Sequence, residues 1–216
     1  TEGVLTRRLQ RDPALDGVGT VIFDEFHERA LQADLGLALA WEVRGALRPD
    51  LRLLVMSATL DAGPVAALLD DAPILTAEGR AWPVETRWRD APPPSGSRVE
   101  AQVADLVAQA VVETAGGVLV FLPGAGEIRR VAAALEGRLP AQCRVMPLYG
   151  ALPAAEQRRA IAPLGDGRKV VLATSIAETS LTIPDIQVVV DAGLARRSRF
   201  DPGAGMARLV TERVSR

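Results

Sequence analysis

Val21-Ile22-Phe23-Asp24-Glu25-Phe26-His27-Glu28-Arg29-Ala30, VIFDEFHERA, is the stretch on which the reading turns. Three apolar residues suited to a buried strand run straight into two carboxylates, an aromatic ring and the chain's only histidine. In open α/β sheets, ligands sit at the carboxyl ends of strands, and Asp24 and Glu25 stand at such an end. One carboxylate can hold a magnesium ion, directly or through water, and its neighbour can orient or deprotonate an attacking water. That is the arrangement of a nucleotide hydrolase acting on a γ-phosphate. A second reading stands beside it on residue chemistry alone, because Asp and Glu also stabilise a helix N-terminus by roughly 0.3–1 kcal/mol. A zinc-protease helix is excluded, since His-Glu-x-x-His needs a second histidine and the chain has none.

Working outward, short apolar runs alternate with helical stretches. Thr20–Asp24, Leu53–Met56, Gly117–Leu122, Val170–Ala173 and Gln187–Asp191 read as buried parallel strands, with Cys143–Leu148 and Pro73–Thr76 as weaker candidates. Glu28–Leu47, Gly63–Leu69, Val99–Thr114, Glu127–Glu136 and Pro153–Ile161 read as helices. Such alternation predicts a mainly parallel sheet covered on both faces. RDAPPPSGSR, Arg89 to Arg98, cannot continue a helix or a central strand. It divides the chain into a unit over residues 1–88, a linker over 89–98 and a unit over 99–216.

Composition sets outer limits. The 216 residues are 48% hydrophobic and 24% charged, ordinary for a globular protein. No apolar run reaches bilayer length and no signal-peptide pattern opens the chain, so a cytoplasmic protein is expected. The single cysteine, Cys143, excludes an internal disulfide and a Cys/His zinc cluster. A net charge of −2 offers no general attraction for nucleic acid, yet from Leu194 onward six arginines face only Asp201 and Glu212. That local patch is either a solvated face or an electrostatic footprint.

The motifs in order resemble those of the DEAH-box helicases, in their bacterial HrpB-type branch. DEFH with ER is similar to motif II, and its phenylalanine to that branch. TEG at Thr1–Gly3 resembles the segment that touches the nucleic-acid backbone, and SAT at Ser57–Thr59 resembles motif III. FLPGAGEI, Phe121–Ile128, resembles motif IV, with LYGALP, Leu148–Pro153, after it. ATSIAETSLTIPDIQVVVDAG, Ala173–Gly193, resembles motif V and its extension, and RFDPGAGMARL, Arg199–Leu209, the β-hairpin that follows. Each motif is short; their order and spacing carry the resemblance across essentially the whole chain.

The resemblance implies ATP and Mg²⁺ as cofactors and RNA as partner, with DNA left open. It implies that Asp24 holds magnesium, that Glu25 is the catalytic base and that His27 senses the nucleotide state. Ser57 and Thr59 would couple the motif II carboxylates to domain movement. Thr174, Ser175, Glu178, Thr179, Ser180 and Thr182 would face nucleotide and RNA, small hydroxyls being suited to phosphate contact. Thr1, Gly3, Arg196, Arg197 and Arg199 would hold the RNA backbone, with the strong salt dependence of such contacts. Two departures stand out: Pro184 lies where family members carry an acidic residue, and Ser175 where asparagine is common.

The chain's only lysine, Lys169, is followed by valine, so these residues include no Gly-x-x-x-x-Gly-Lys-Ser/Thr loop. The family places that loop before TEG, and its arginine finger after VSR. The expectation is therefore an internal segment with two RecA-like α/β domains, the first incomplete at its N-terminus and the second lacking its C-terminal end. Two functions are carried forward: part of an ATP-dependent RNA helicase, or an inactive RNA-binding or decoy piece.

Overall fold

The computed structural model describes residues 2–58, 61–79, 82–88, 98–178 and 182–214, the side chain of residue 2 excepted. The chain divides into two compact units, Thr1–Glu85 and Thr86–Arg216. The proline-rich stretch over residues 89–97 lies outside the described residues.

In the first unit, α1 (Glu2–Arg11) precedes β1 (Thr20–Phe23), α2 (Leu31–Ala46), β2 (Arg52–Val55) and α3 (Ala62–Leu68). β1 and β2 pair in parallel, Val21 opposite Leu53 and Phe23 opposite Val55. Strand alternation sends Phe23 into a cluster with Phe26 and with Ala33, Leu37 and Ala40 of α2. Leu9 of α1, Leu15 and Leu51 form a second cluster at the other end. Ile22 and Leu54, opposite each other in register, lie exposed on the reverse face. Arg48, just past α2, donates to the carbonyls of Ala14, Leu15 and Val18 and to the Asp50 carboxylate, which fixes the loop ahead of β1.

The second unit contains α4 (Val99–Glu113), β3 (Gly117–Phe121), α5 (Ala125–Leu135), β4 (Cys143–Leu148), α6 (Ala154–Ile161), β5 (Arg168–Ala173), β6 (Ile186–Asp191), β7 (Leu194–Asp201) and β8 (Met206–Arg213). Four parallel strands form one sheet in the order β4-β5-β3-β6. β3 and β5 read as unbroken apolar runs because alternate residues enter different cores. Val118, Val120, Val170 and Leu172 join α4 and α5 on one face. Leu119, Val171 and Ala173 meet Ala160 of α6, Ala177 and Ile183 on the other. Each fully buried Val or Leu side chain on these two strands contributes about 1.5–3 kcal/mol.

The start of β5 ties both helix layers to the sheet. Arg168 donates to the carbonyls of Val111 at 2.6 Å and Ala110 at 3.3 Å, to Thr114 Oγ1 at 2.6 Å, and also to the carbonyls of Thr114 and Gly116. These include the Val111 carbonyl in the last turn of α4, where the helix's final acceptors have no N–H of their own. Its neighbour Lys169, 1% exposed, points to the other face and donates from Nζ to Ala162 O at 2.9 Å, just past α6. Adjacent cations on one strand thus cap helices on opposite sides of the sheet.

Three expectations are corrected. Pro73–Thr76 is not a strand: Pro73 has no N–H to donate, and Ile74 and Leu75 are exposed rather than paired. The helix expected from Glu28 starts at Leu31, because Arg29 adopts a left-handed conformation (φ 52°) that a helix cannot include. Helix α1 was not foreseen, its first turn having been read only as a contact motif.

Candidate active site

In the first unit, Asp24 stands exposed just past the carboxyl end of β1, and its Oδ1 accepts the backbone N–H of Glu25 at 2.9 Å. Phe26–Glu28 form a single 3₁₀ turn, bracketed by Glu25 and Arg29, both left-handed at φ 52°. Residues with a Cβ rarely adopt this conformation, which costs of order 1–3 kcal/mol and clusters at functional sites.

Phe26 holds the turn in place. Its ring is 4% exposed and stands edge-on to Phe23, with centroids 6.4 Å apart. Its N–H donates to Met56 O at 3.0 Å, and the Arg29 guanidinium lies 5.7 Å over its ring. The phenylalanine in DEFH is therefore a core anchor that turns the polar residues around it.

The turn places His27 between two partners. Its Nε2 lies 3.4 Å from Glu25 Oε2, and its Nδ1 accepts a long hydrogen bond, 3.4 Å, from the Ala58 N–H. An accepting Nδ1 carries no proton, so the ring hydrogen belongs to Nε2, facing the carboxylate. The connection from DEFH to Ser57-Ala58-Thr59 thus includes a backbone amide. Hydroxyls were expected to make it; Ser57 is exposed and Thr59 lies outside the described residues. A backbone donor leaves no mark in residue identity, so nothing in the sequence singled out Ala58. Gly3 lies in the first turn of α1, and Thr1 is outside the described residues.

Among the described residues, no group of three or more His, Cys, Asp or Glu gathers to form a metal cage. The exposed Asp24 carboxylate suits the other mode of holding magnesium, one or two carboxylates completed by water and phosphate oxygens.

In the second unit, the loop after β5 leaves the sheet at Thr174, whose N–H donates to Leu148 O at 3.1 Å. Ser175–Ala177 form a 3₁₀ turn closed by Glu178 N–H to Ser175 O at 3.0 Å. Ala177 and Ile183, both buried, pin the loop to the core and leave Ser175, Glu178 and Thr182 exposed. Thr179 and Ser180 lie outside the described residues. A cavity of about 350 Å³, lined by Gly116, Gly117, Arg168 and Asp185 among others, opens at the opposite, amino end of the strands.

The arginine patch is less free than its charge count suggested. β7 and β8 pair antiparallel, with Arg199 directly opposite Arg208. Two like charges there repel, and each takes a carboxylate: Arg199 Nε lies 2.6 Å from Glu212 Oε1, and Arg208 Nε 3.5 Å from Asp201 Oδ2. The hydrogen bond from Arg199 holds the Glu212 carboxyl below the usual carboxylate range. Arg196 Nη2 lies 3.4 Å from Glu127 Oε1 on α5, while Arg197 is exposed.

The helicase conserved C-terminal domain matches residues 101–208, half of the chain. The chain belongs to that helicase family. Its likeness runs further: it is 54% identical over all 216 residues to the ATP-dependent RNA helicase HrpB of Escherichia coli, which marks it as a DEAH-box segment of HrpB type. It is 37% identical over its whole length to the E. coli ATP-dependent RNA helicase HrpA. The crystal structure of the E. coli DEAH/RHA helicase HrpB superposes with a TM-score of 0.86 across 100% of this chain, in agreement with a RecA-like fold. The chain spans only part of these relatives' length: 26% of HrpB, 17% of HrpA and 27% of the crystallised HrpB chain.

Proposed function

We propose that this chain is the part of an ATP-dependent RNA helicase in which nucleotide hydrolysis is linked to nucleic-acid strand separation, working in the cytoplasm. The observation that carries the reading is the DEFH turn, where one of two carboxylates at a strand end, Glu25, lies beside an imidazole that also meets the next motif's backbone. HrpB and HrpA, to which the chain is similar throughout, are named ATP-dependent RNA helicases.

In this reading residues 1–88 and 99–216 belong to the two lobes, joined by residues 89–98. Asp24 would hold magnesium, which when bound would supply positive charge against that developing on the phosphates. Glu25 orients the attacking water and takes its proton. His27 steadies the Glu25 carboxylate through Nε2–H and relays its position to Ser57, Ala58 and Thr59. Thr174, Ser175, Glu178, Thr179, Ser180 and Thr182 face phosphates of nucleotide and RNA. Thr1, Gly3, Arg199 and above all Arg197 grip the RNA backbone.

The test is ATP turnover by the native protein with and without single-stranded RNA, together with opening of an RNA duplex. RNA-stimulated turnover and ATP-dependent opening are expected. Turnover indifferent to RNA, with no opening, removes the reading.

A further inference from the structure

We propose that Arg196 and Glu127 form a positioning latch that sets the β7–β8 hairpin against the amino end of α5, and that this, not strand contact, is the work of Arg196. The inference rests on the helicase reading only for its consequence; the latch itself is a matter of geometry.

The hairpin is held at a narrow root. β6 ends at Asp191, whose Oδ1 accepts the Gly193 N–H at 2.8 Å, and Gly193 turns the chain at φ 68°. Val214 N–H donates back to Gly193 O at 3.0 Å. Past this root the strands pair with each other, and a two-stranded ribbon has little stiffness of its own. Something further must set its angle.

Arg196 supplies that contact. On β7 it shares a face with Ser198 and Phe200, opposite to the face of Arg197 and Arg199. Its Nη2 lies 3.4 Å from Glu127 Oε1, in the first turn of α5. That oxygen also accepts from Arg130 Nη2 at 2.8 Å, and Arg130 Nε donates to Glu100 Oε1 of α4 at 2.7 Å. The latch is thus backed by the two helices on one face of the sheet.

Two further features mark the contact as built. A Cβ at Gly124 would stand 2.6 Å from Arg196 Nη1 and 3.0 Å from Glu127 Oε2, so glycine there leaves the gap the guanidinium occupies. Glu127 Oε2 is buried and has no hydrogen-bond partner among the described residues. A buried carboxylate oxygen without a donor is costly, and arginine grips a carboxylate most strongly through two parallel bonds. The structure therefore holds the latch in a loose, one-oxygen setting, with the second oxygen beside the gap that Nη1 already borders. Closing to two bonds draws the hairpin root toward α5; opening frees it. FLPGAGEI, to which both Gly124 and Glu127 belong, thereby governs the hairpin's angle.

The test uses the native protein and the variants Gly124→Ala, Glu127→Gln, Arg196→Ala and Gly124→Ala/Arg196→Ala. Amide hydrogen exchange in residues 194–201 and 206–213 is expected to quicken roughly three- to tenfold in each single variant. The double variant should match Arg196→Ala alone, since the added methyl then meets no guanidinium. Gly124→Ala and Glu127→Gln should open several-fold fewer RNA duplexes per ATP, while RNA affinity and its salt dependence stay as in the parent. Unchanged exchange in both overturns the latch. So does an Arg196→Ala variant whose only defect is weaker RNA binding with a salt slope reduced by about one, the mark of a phosphate contact. The exchange readout needs neither ATP nor RNA, so a native protein without RNA-stimulated turnover would remove the helicase reading and leave the latch to stand or fall by itself.

Discussion

Glu25 and His27 face each other across a buried phenylalanine, Oε2 to Nε2 at 3.4 Å, with Glu25 in a left-handed conformation that places it there. An imidazole this close to one carboxylate oxygen restrains its orientation and leaves the other oxygen for a water. Replacing Glu25 with glutamine keeps the shape and removes the base. ATP turnover by the native protein should fall by roughly 10²–10⁴, the usual worth of a general base, while nucleotide binding measured by fluorescence titration persists. Turnover within a fewfold of the parent would deny Glu25 that role.

His27 is the joint between that carboxylate and Ala58. His27→Ala should lower the number of duplexes opened per ATP more than it lowers turnover itself, because Asp24 and Glu25 remain. Steady-state ATP hydrolysis and duplex opening, measured on the same sample, check this. An equal loss in both would make His27 part of the hydrolytic step alone.

Arg168 donates to the carbonyls of Val111 and Thr114 at the end of α4, and adds to the bonds that Ala110 O already accepts from Thr114. Arg168→Ala should cost about 2–3 kcal/mol, since several partly buried acceptors lose their donor together. Thermal melting of the chain should fall by roughly 5–15 °C. Arg168→Lys should recover little of it, because one ammonium cannot span carbonyls that a planar guanidinium reaches at once.

Asp50 is held down to about 2 from 3.8, first by its hydrogen bond from Arg48. A depressed carboxylate stabilises the fold above its unfolded value and loses that contribution as pH falls toward the folded one. The stability difference between the parent and Asp50→Asn should therefore be constant above about pH 4 and shrink between 4 and 2. Urea titrations at stepped pH measure it. A difference that instead grew on acidification would contradict the pairing.

How much of this could be read from residues alone follows from what residue types encode. The parallel strands were legible because β3 and β5 are buried on both faces and so read as unbroken apolar runs. Asp24, Glu25 and the Ser/Thr-rich loop drew notice in the sequence because carboxylates at a strand end and clustered hydroxyls are visible as residue types. The left-handed turns at Glu25 and Arg29 were not, because neither position holds glycine or asparagine to announce them. The Ala58 amide, the caps made by Arg168 and Lys169, and the pairing of Arg196 with Glu127 were hidden for another reason. All but the Lys169 cap join residues far apart in the chain, and a cation looks the same in sequence whether it faces phosphate or a carbonyl.

Lys169 gives the folded chain an unusual chemical silence. As its only lysine, 1% exposed and tied to Ala162 O, it offers acylating reagents no accessible side-chain amine while the second unit stays closed. Labelling at that one position would then register each opening of the sheet from α6. A single mass increment becomes a clock for local unfolding, with no engineered probe required.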